Sequence, residues 1–267
     1  MTKFKIISLW LIVLSPFIGL FLLVNLTSMG VFGDLPTFDQ LENPKNSLAT
    51  EIISEDGVLL GTYFKENRSR VKYNEIPESL INALIATEDI RFREHSGIDG
   101  KALLRAVVGM MGKSSGGAST ISQQLAKMLF TEKPSSGIDR VMQKVKEWII
   151  AAQLEKRYTK DEILTMYLNR FDWINLAVGI KSASAVYFNK EPIDLNVQES
   201  AMLVGMLKNP SLYNPRKNLE GTENRRNIVL SQMNKYEFID EFGLTKAMLS
   251  DSLYDVLKKT PIVLDFH

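Results

Sequence analysis

Apolar residues recur along this chain in three different rhythms, and each predicts its own kind of element. The first is unbroken: from Ile6 to Leu26 no charged residue interrupts a run of 21. At a rise of about 1.5 Å per residue that run spans a hydrocarbon layer of about 30 Å. Lys3 and Lys5 precede it and Asp34, Asp39 and Glu42 are the first charges after it, so the positive-inside rule predicts an anchor with the remainder outside the cytoplasm. An uncleaved anchor is favoured over a signal peptide, whose apolar stretch is usually shorter, and no clear A-x-A site follows. After a linker with Pro36 and Pro44, Glu51 to Ile53 and Val58 to Phe64 flank Glu55-Asp56-Gly57. Two short apolar runs around such a turn signal predict a β-hairpin.

From Pro77 the rhythm becomes helical, with Leu80, Ala83, Leu84 and Thr87 three or four residues apart, predicting a helix to about Ile90 with Pro77 in its first turn. A Gly/Ser loop from Gly112 to Gly117 leads to Thr120-x-x-Gln123, a capping-box pattern that opens a helix to about Phe130. After a second loop, Glu132 to Gly137, a helix is expected over 139–157. Its apolar face is Val141, Val145, Trp148, Ile149 and Ala152, with Glu147 on another side between Ile150 and Ala151. The boxes Thr159-x-x-Glu162 and Asn196-x-x-Glu199 open helices ending near Arg170 and Lys208. Helices over 222–235 and 244–259 complete a mainly α domain with a small β element near the membrane.

Composition removes several chemistries. There is no cysteine, which excludes disulfides, thiolate catalysis and Cys-based zinc sites. Two histidines, His95 and His267, leave little for a His-rich metal site or a Ser-His-Asp triad. The net charge of +1 does not suggest a nucleic-acid binder. Gly112-Lys113-Ser114 imitates the end of a P-loop, but the required first glycine falls on Val107.

Three places could carry chemistry. Glu88-Asp89 puts two carboxylates at the C-terminal end of an apolar helix, where the macrodipole disfavours negative charge. They are either a solvated end paired with Arg91 or Arg93, or a proton acceptor. The loop Gly116-Gly117-Ala118-Ser119 before a helix start offers free amides to an anion such as phosphate, with Lys127 adding charge, or is an ordinary capped helix. Glu147 has Arg140, Lys144 and Lys146 in reach, which reads either as a partly desolvated functional acid or as a plain ion pair. Arg225-Arg226 is a solvated face or a clamp on buried carboxylates.

Together these pieces resemble the five motifs of the peptidoglycan glycosyltransferases, family 51 of glycosyltransferases and the transglycosylase domain of class A penicillin-binding proteins. The first motif is matched by Glu88-Asp89 with Phe92, His95 and Gly97, and the second by Gly117 through Lys127. The third is matched by Gln143-Lys144-Val145-Lys146-Glu147, and the fourth by Lys160 to Leu164 with Tyr167-Leu168-Asn169. Arg225-Arg226 with Val229-Leu230 matches the fifth. Gln143 stands where the family usually has arginine, and Met128 where it often has asparagine.

The resemblance implies a lysozyme-like, mainly α-helical fold with a small membrane-proximal lobe, polymerising lipid II by inverting transfer with release of polyprenyl pyrophosphate. It implies Glu88 and Glu147 as catalytic acids, and Asp89, Ser119, Gln123, Gln124, Lys127, Arg140, Lys144 and Lys146 as substrate-binding residues. No cofactor is required, though a divalent cation, Mg or Mn, accompanies the pyrophosphate in some relatives. The partners implied are lipid II, the growing glycan strand, the cytoplasmic membrane and other cell-wall synthesis proteins. The expected divisions are an anchor over 1–33, a linker with the β element over 34–76, the glycosyltransferase domain over 77–240, and a C-terminal helix with the start of a following domain over 241–267. Ser69-Arg70-Val71-Lys72 fits S-x-x-K, but no K-[ST]-G follows, so covalent penicillin binding is not expected. The unpartnered strand-like Pro261 to Leu264 reads as the front of a longer, bifunctional protein. A glycan-cleaving enzyme and a non-catalytic membrane scaffold are the alternatives.

Overall fold

A computed structural model describes residues 3–33, 35–36, 50–53, 59–63, 70–111, 117, 119–130, 134 and 136–249. The expected strand at 261–264, the end of the helix expected over 244–259, most of the linker and most of the Gly112 to Gly117 loop lie outside the described residues. The described chain is mainly helical, as expected. α1 is Lys3–Ser28, and the hairpin follows as β1 (Thr50–Ile53) and β2 (Leu59–Tyr63). The pair is antiparallel, with Thr50 opposite Tyr63, and its register shifts between Ile52 and Ile53. Then come α2 (Glu78–Glu88), α3 (Gly100–Met111), α4 (Ile121–Phe130), α5 (Gly137–Arg157) and α6 (Lys160–Arg170). The chain continues with α7 (Ile180–Phe188), α8 (Val197–Leu207), α9 (Leu219–Lys235) and α10 (Glu241–Met248).

The capping boxes at Thr159 and Asn196 both form, each side chain accepting from the third helical amide while Glu162 or Glu199 reaches back. Satisfying both end groups fixes where α6 and α8 begin. Pro77 is the cap of α2 rather than a first-turn residue. α3 and α7 were not expected. Asp99 precedes α3, and its carboxylate accepts from the Ala102 amide in the first turn while also pairing with Arg91. α7 is built from small residues, with Ser182, Ala183 and Ser184 buried.

The helices form two groups. α8, buried from Glu199 through Leu207, packs against α2 and α9, and α10 adds to α9. α4 packs against α5 and α6, and α1 lies along α5. Leu80, Leu84, Leu125, Leu154, Leu203 and Leu230 are all fully buried, so cutting any one to alanine should cost about 2–5 kcal/mol. On α5 the buried residues are Val145, Glu147, Ile150, Ala151 and Leu154. The expected core face is thus corrected: Val141 is exposed and, with Val145 and Trp148, borders a cleft, while the side carrying Glu147 turns to the interior.

Two glycines hold the loops at the junction. Gly97 has φ +90 and Gly179 φ +82, and a Cβ at either would meet backbone at 2.9 Å, of Ala151 and Asn169 respectively. Only glycine fits both demands. In α1 the polar groups are satisfied locally: the Asn25 amide donates to Phe21 O and the Thr27 hydroxyl to Leu23 O, each at 2.7 Å. That leaves Trp10–Ser28 apolar and long enough to cross a membrane.

Candidate active-site cleft

The two helix groups part along a cleft of about 1450 Å³. One wall carries Gly117, Ser119, Gln124, Lys127, Met128, Arg140, Lys144 and Glu147 from α4, α5 and the loops before them, with Leu20 and Leu23 of α1 beside them. The other carries Thr87 and Glu88 of α2, Phe171, Leu207, Lys208 and Arg225. The cleft therefore gathers seven of the expected site residues: Glu88, Ser119, Gln124, Lys127, Arg140, Lys144 and Glu147.

Glu88 and Asp89 are neighbours with different destinations. α2 ends at Glu88, and Asp89 takes φ −160, which turns its side chain away from the helix. Glu88 lines the cleft, whereas Asp89, 8% exposed, accepts from His95 Nε2 at 3.0 Å and from the Ile121 amide at 3.1 Å. Gly97 N donates to His95 Nδ1, so the ring's proton sits on Nε2, facing Asp89. Asp89 thus sits at the start of α4, held by His95 and the Ile121 amide and not among the residues lining the cleft. The Ile121 amide belongs to Asp89 and the Gln123 amide to the Thr120 hydroxyl. Gln123 does not complete a capping box or line the cleft; 1% exposed, it donates to Gly97 O.

Glu88 is held by a relay from a second wall element. The Tyr167 hydroxyl donates to Gln124 Oε1 at 2.9 Å, and Gln124 Nε2 donates to Glu88 Oε2 at 2.9 Å. Burial, reinforced by the charge of Glu88, pushes the Tyr167 phenol well above its ordinary range. It therefore stays a donor, and a donor at Oε1 fixes which end of the amide meets the carboxylate. Tyr167 belongs to the fourth motif but had no expected role; a fully buried tyrosine amid apolar neighbours needs a partner for its hydroxyl, and that need was the available signal.

Across the cleft, Glu147 is 5% exposed and Lys144 Nζ lies 2.9 Å from its Oε2. The same ammonium donates to Ser119 Oγ at 2.8 Å, tying the loop before α4 to α5. Arg140 is exposed on α5 one turn earlier. Lys146 is not among the residues lining the cleft; its ammonium lies beside the turn after α1, 3.0 Å from where a Cβ on Gly33 would stand. Among the described residues Arg225 and Arg226 clamp no buried carboxylate. Arg226 reaches the half-exposed Glu223 at 3.8 Å and the Met248 carbonyl, and burial lowers its pKa from the ordinary value. Among the described residues no group of three His, Asp or Glu side chains is gathered that could hold a metal ion.

The Transglycosylase family profile matches residues 56–234. The chain is 38% identical over 239 residues to penicillin-binding protein 1A of Vibrio cholerae, which spans 89% of this chain and 27% of that protein. It is 39% identical over 201 residues to penicillin-binding protein 1A of Escherichia coli, covering 74% and 23%. With penicillin-binding protein 1F of Bacillus subtilis it shares 41% over 193 residues, covering 72% and 26%. The crystal structure of penicillin-binding protein 1A from Haemophilus influenzae aligns with 77% of this chain and 21% of that one, at 23% identity and a TM-score of 0.43. The chain spans about a quarter of the length of these curated relatives.

Proposed function

The chain belongs to the transglycosylase family, and from that premise we propose that it is a peptidoglycan glycosyltransferase that polymerises lipid II into glycan strands. The observation that carries the reading is the cleft itself, which has Glu88 on one wall and Glu147 with Lys127, Arg140 and Lys144 on the other. Glu88 accepts the proton of the acceptor's 4-hydroxyl. That oxygen bonds to C1 of the donor as the bond from C1 to the pyrophosphate oxygen breaks, inverting the anomeric centre. The electron pair leaves with polyprenyl pyrophosphate, whose charge Lys127, Arg140 and Lys144 neutralise. Glu147 holds Lys144 in place and orients the donor.

A divalent cation, Mg or Mn, would be held by the substrate's own pyrophosphate oxygens and would add positive charge there. α1 is proposed to cross the cytoplasmic membrane once with the cleft outside, which keeps the polyprenyl tail in the bilayer while the sugars react. The glycan strand is the product and stays in the cleft as the next donor. Following labelled lipid II into polymer with the purified full chain tests the reading. Soluble fragments released from glycan without lipid II would favour hydrolysis instead, and lipid II binding without polymer would favour a scaffold.

A further inference from the structure

Glu155 is a buried acid that lies outside the cleft. It stands on α5 eight residues after Glu147, its side chain is 4% exposed, and it is not among the residues lining the cleft. Lys160 Nζ lies 2.6 Å from its Oε2, and the fully buried Ser122 donates its hydroxyl to Oε1. The same ammonium donates to His95 O at 2.6 Å and sits 4.3 Å from the centre of the Phe92 ring. Lys160 opens α6, where a cation works against the helix macrodipole. Local helix chemistry gives no reason for a lysine there; its partners do.

Those partners belong to the two pieces of chain that place Glu88. One is the loop after α2, where Asp89, next to Glu88, is bonded to His95 Nε2. The other is α4, whose Gln124 amide donates to Glu88. Lys160 grips the first piece through the His95 carbonyl, and Glu155 grips the second through Ser122, two residues before Gln124. Tyr167, which orients that amide, lies seven residues after Lys160 on the same side of α6. A single ion pair therefore ties α4, α5, α6 and the His95 loop together behind the proton acceptor.

We propose that the Glu155–Lys160 pair, with Ser122, positions Glu88: it touches no substrate, but it sets the His95 loop against α4 so that the Gln124 amide meets the Glu88 carboxylate. The inference rests on the glycosyltransferase reading, in which Glu88 takes the acceptor's proton. A charge-assisted pair out of water holds its groups tightly, and a misplacement of about 1 Å at the reacting atoms can cost about 100-fold in rate. A pair that served the fold alone would behave differently. Its loss would lower the folded fraction and leave each folded molecule as active as before, whereas loss of a positioning pair slows turnover with substrate binding unchanged.

The full chain in detergent is assayed for lipid II polymerisation well below the unfolding temperature of each variant, with rates expressed per folded molecule. Lys160→Met should lower kcat about tenfold and change KM less than about twofold, and Ser122→Ala, which cuts only the link to α4, should lower kcat about threefold. Ser122→Ala removes one small hydroxyl, so it tests the inference even where Lys160→Met fails to fold. In a Gln124→Met background, where the positioned amide is already gone, Ser122→Ala should cost less than about 1.5-fold. A second readout needs no turnover: the side-chain amide resonances of Gln124 in the 15N-labelled full chain, assigned by their loss in Gln124→Met, should move in Ser122→Ala. Unchanged kcat per folded molecule, a full Ser122→Ala penalty without Gln124, or unmoved Gln124 resonances would each overturn the positioning role. A wild-type chain that makes no polymer, yet whose Gln124 resonances move in Ser122→Ala, would instead sink the proposed function and leave the link from Glu155 to the Gln124 amide standing.

Discussion

The two walls of the cleft both present cations, but they balance them differently. On the α4/α5 wall Lys144 is pinned between Glu147 and Ser119, so its position is set before any ligand arrives. On the α2/α8/α9 wall Arg225 and Lys208 have no carboxylate within reach among the described residues, and the acid nearby, Glu88, is held by the Gln124 amide instead. A cation already paired is a positioned tool whose charge is partly spent, whereas an unpaired one in a partly dry site has its full attraction left for a ligand.

The largest expected effect tests the Glu88 wall. Glu88→Gln keeps the shape and removes the proton acceptor, so polymerisation should fall by about 10²–10⁴-fold with unfolding unchanged. Near-normal polymer from the folded variant would end the assignment. Next, Tyr167→Phe should lower kcat about tenfold through loss of the amide's orientation. If Tyr167 acts through Gln124, the double variant with Gln124→Met should be no worse than Gln124→Met alone; additive losses would show an independent role.

On the opposite wall, Lys144→Met leaves Glu147 buried without its cation. Because Lys144 is itself about a third exposed, the expected stability loss is about 1 kcal/mol rather than the several seen for fully buried pairs, read by thermal unfolding. Gly205→Ala sharpens the comparison from the other side. It presses on Arg225 Cγ at 3.1 Å within the contact between α8 and α9, so thermal unfolding should show a loss of about 1 kcal/mol. The smallest effect lies away from both walls. Burial works against the Asp99 carboxylate, but its hydrogen bonds from Arg91 and the Ala102 amide hold its pKa below the usual value. Its stabilising share is therefore present above about pH 4 and lost as pH falls through the lower folded value. Asp99→Asn should flatten that acid limb in unfolding experiments, and an unchanged limb would remove Asp99 from the account.

The parts legible in the sequence are those decided within a few residues. The Thr159 and Asn196 caps, the hairpin and the apolar span need only local spacing, and they stand where expected. What spacing could not decide is which of two faces turns inward. On α5 Val141 of the more apolar stripe is exposed at the cleft while Glu147 is buried, paired with Lys144, which also holds Ser119 of the loop before α4. Asp89 and Gln123 fell inside the matched motifs, yet two of their partners, His95 and Gly97, come from a loop where Gly97 approaches the backbone of Ala151, and the third is the Ile121 amide at the start of α4. At 9 residues α7 is too short for its apolar rhythm, Ile180, Ala183 and Tyr187, to stand out alone.

Leu20 and Leu23 belong at once to the apolar helix α1 and to the wall of the cleft. Leu20 lies eight residues before the end of α1 at Ser28, about 12 Å of helical rise. With α1 spanning the bilayer as proposed, the cleft is held at the depth of the membrane surface and cannot lift away from it. Its lipid-linked substrates then arrive by sideways diffusion within the sheet, a search in two dimensions whose speed follows membrane fluidity rather than the viscosity of the surrounding water.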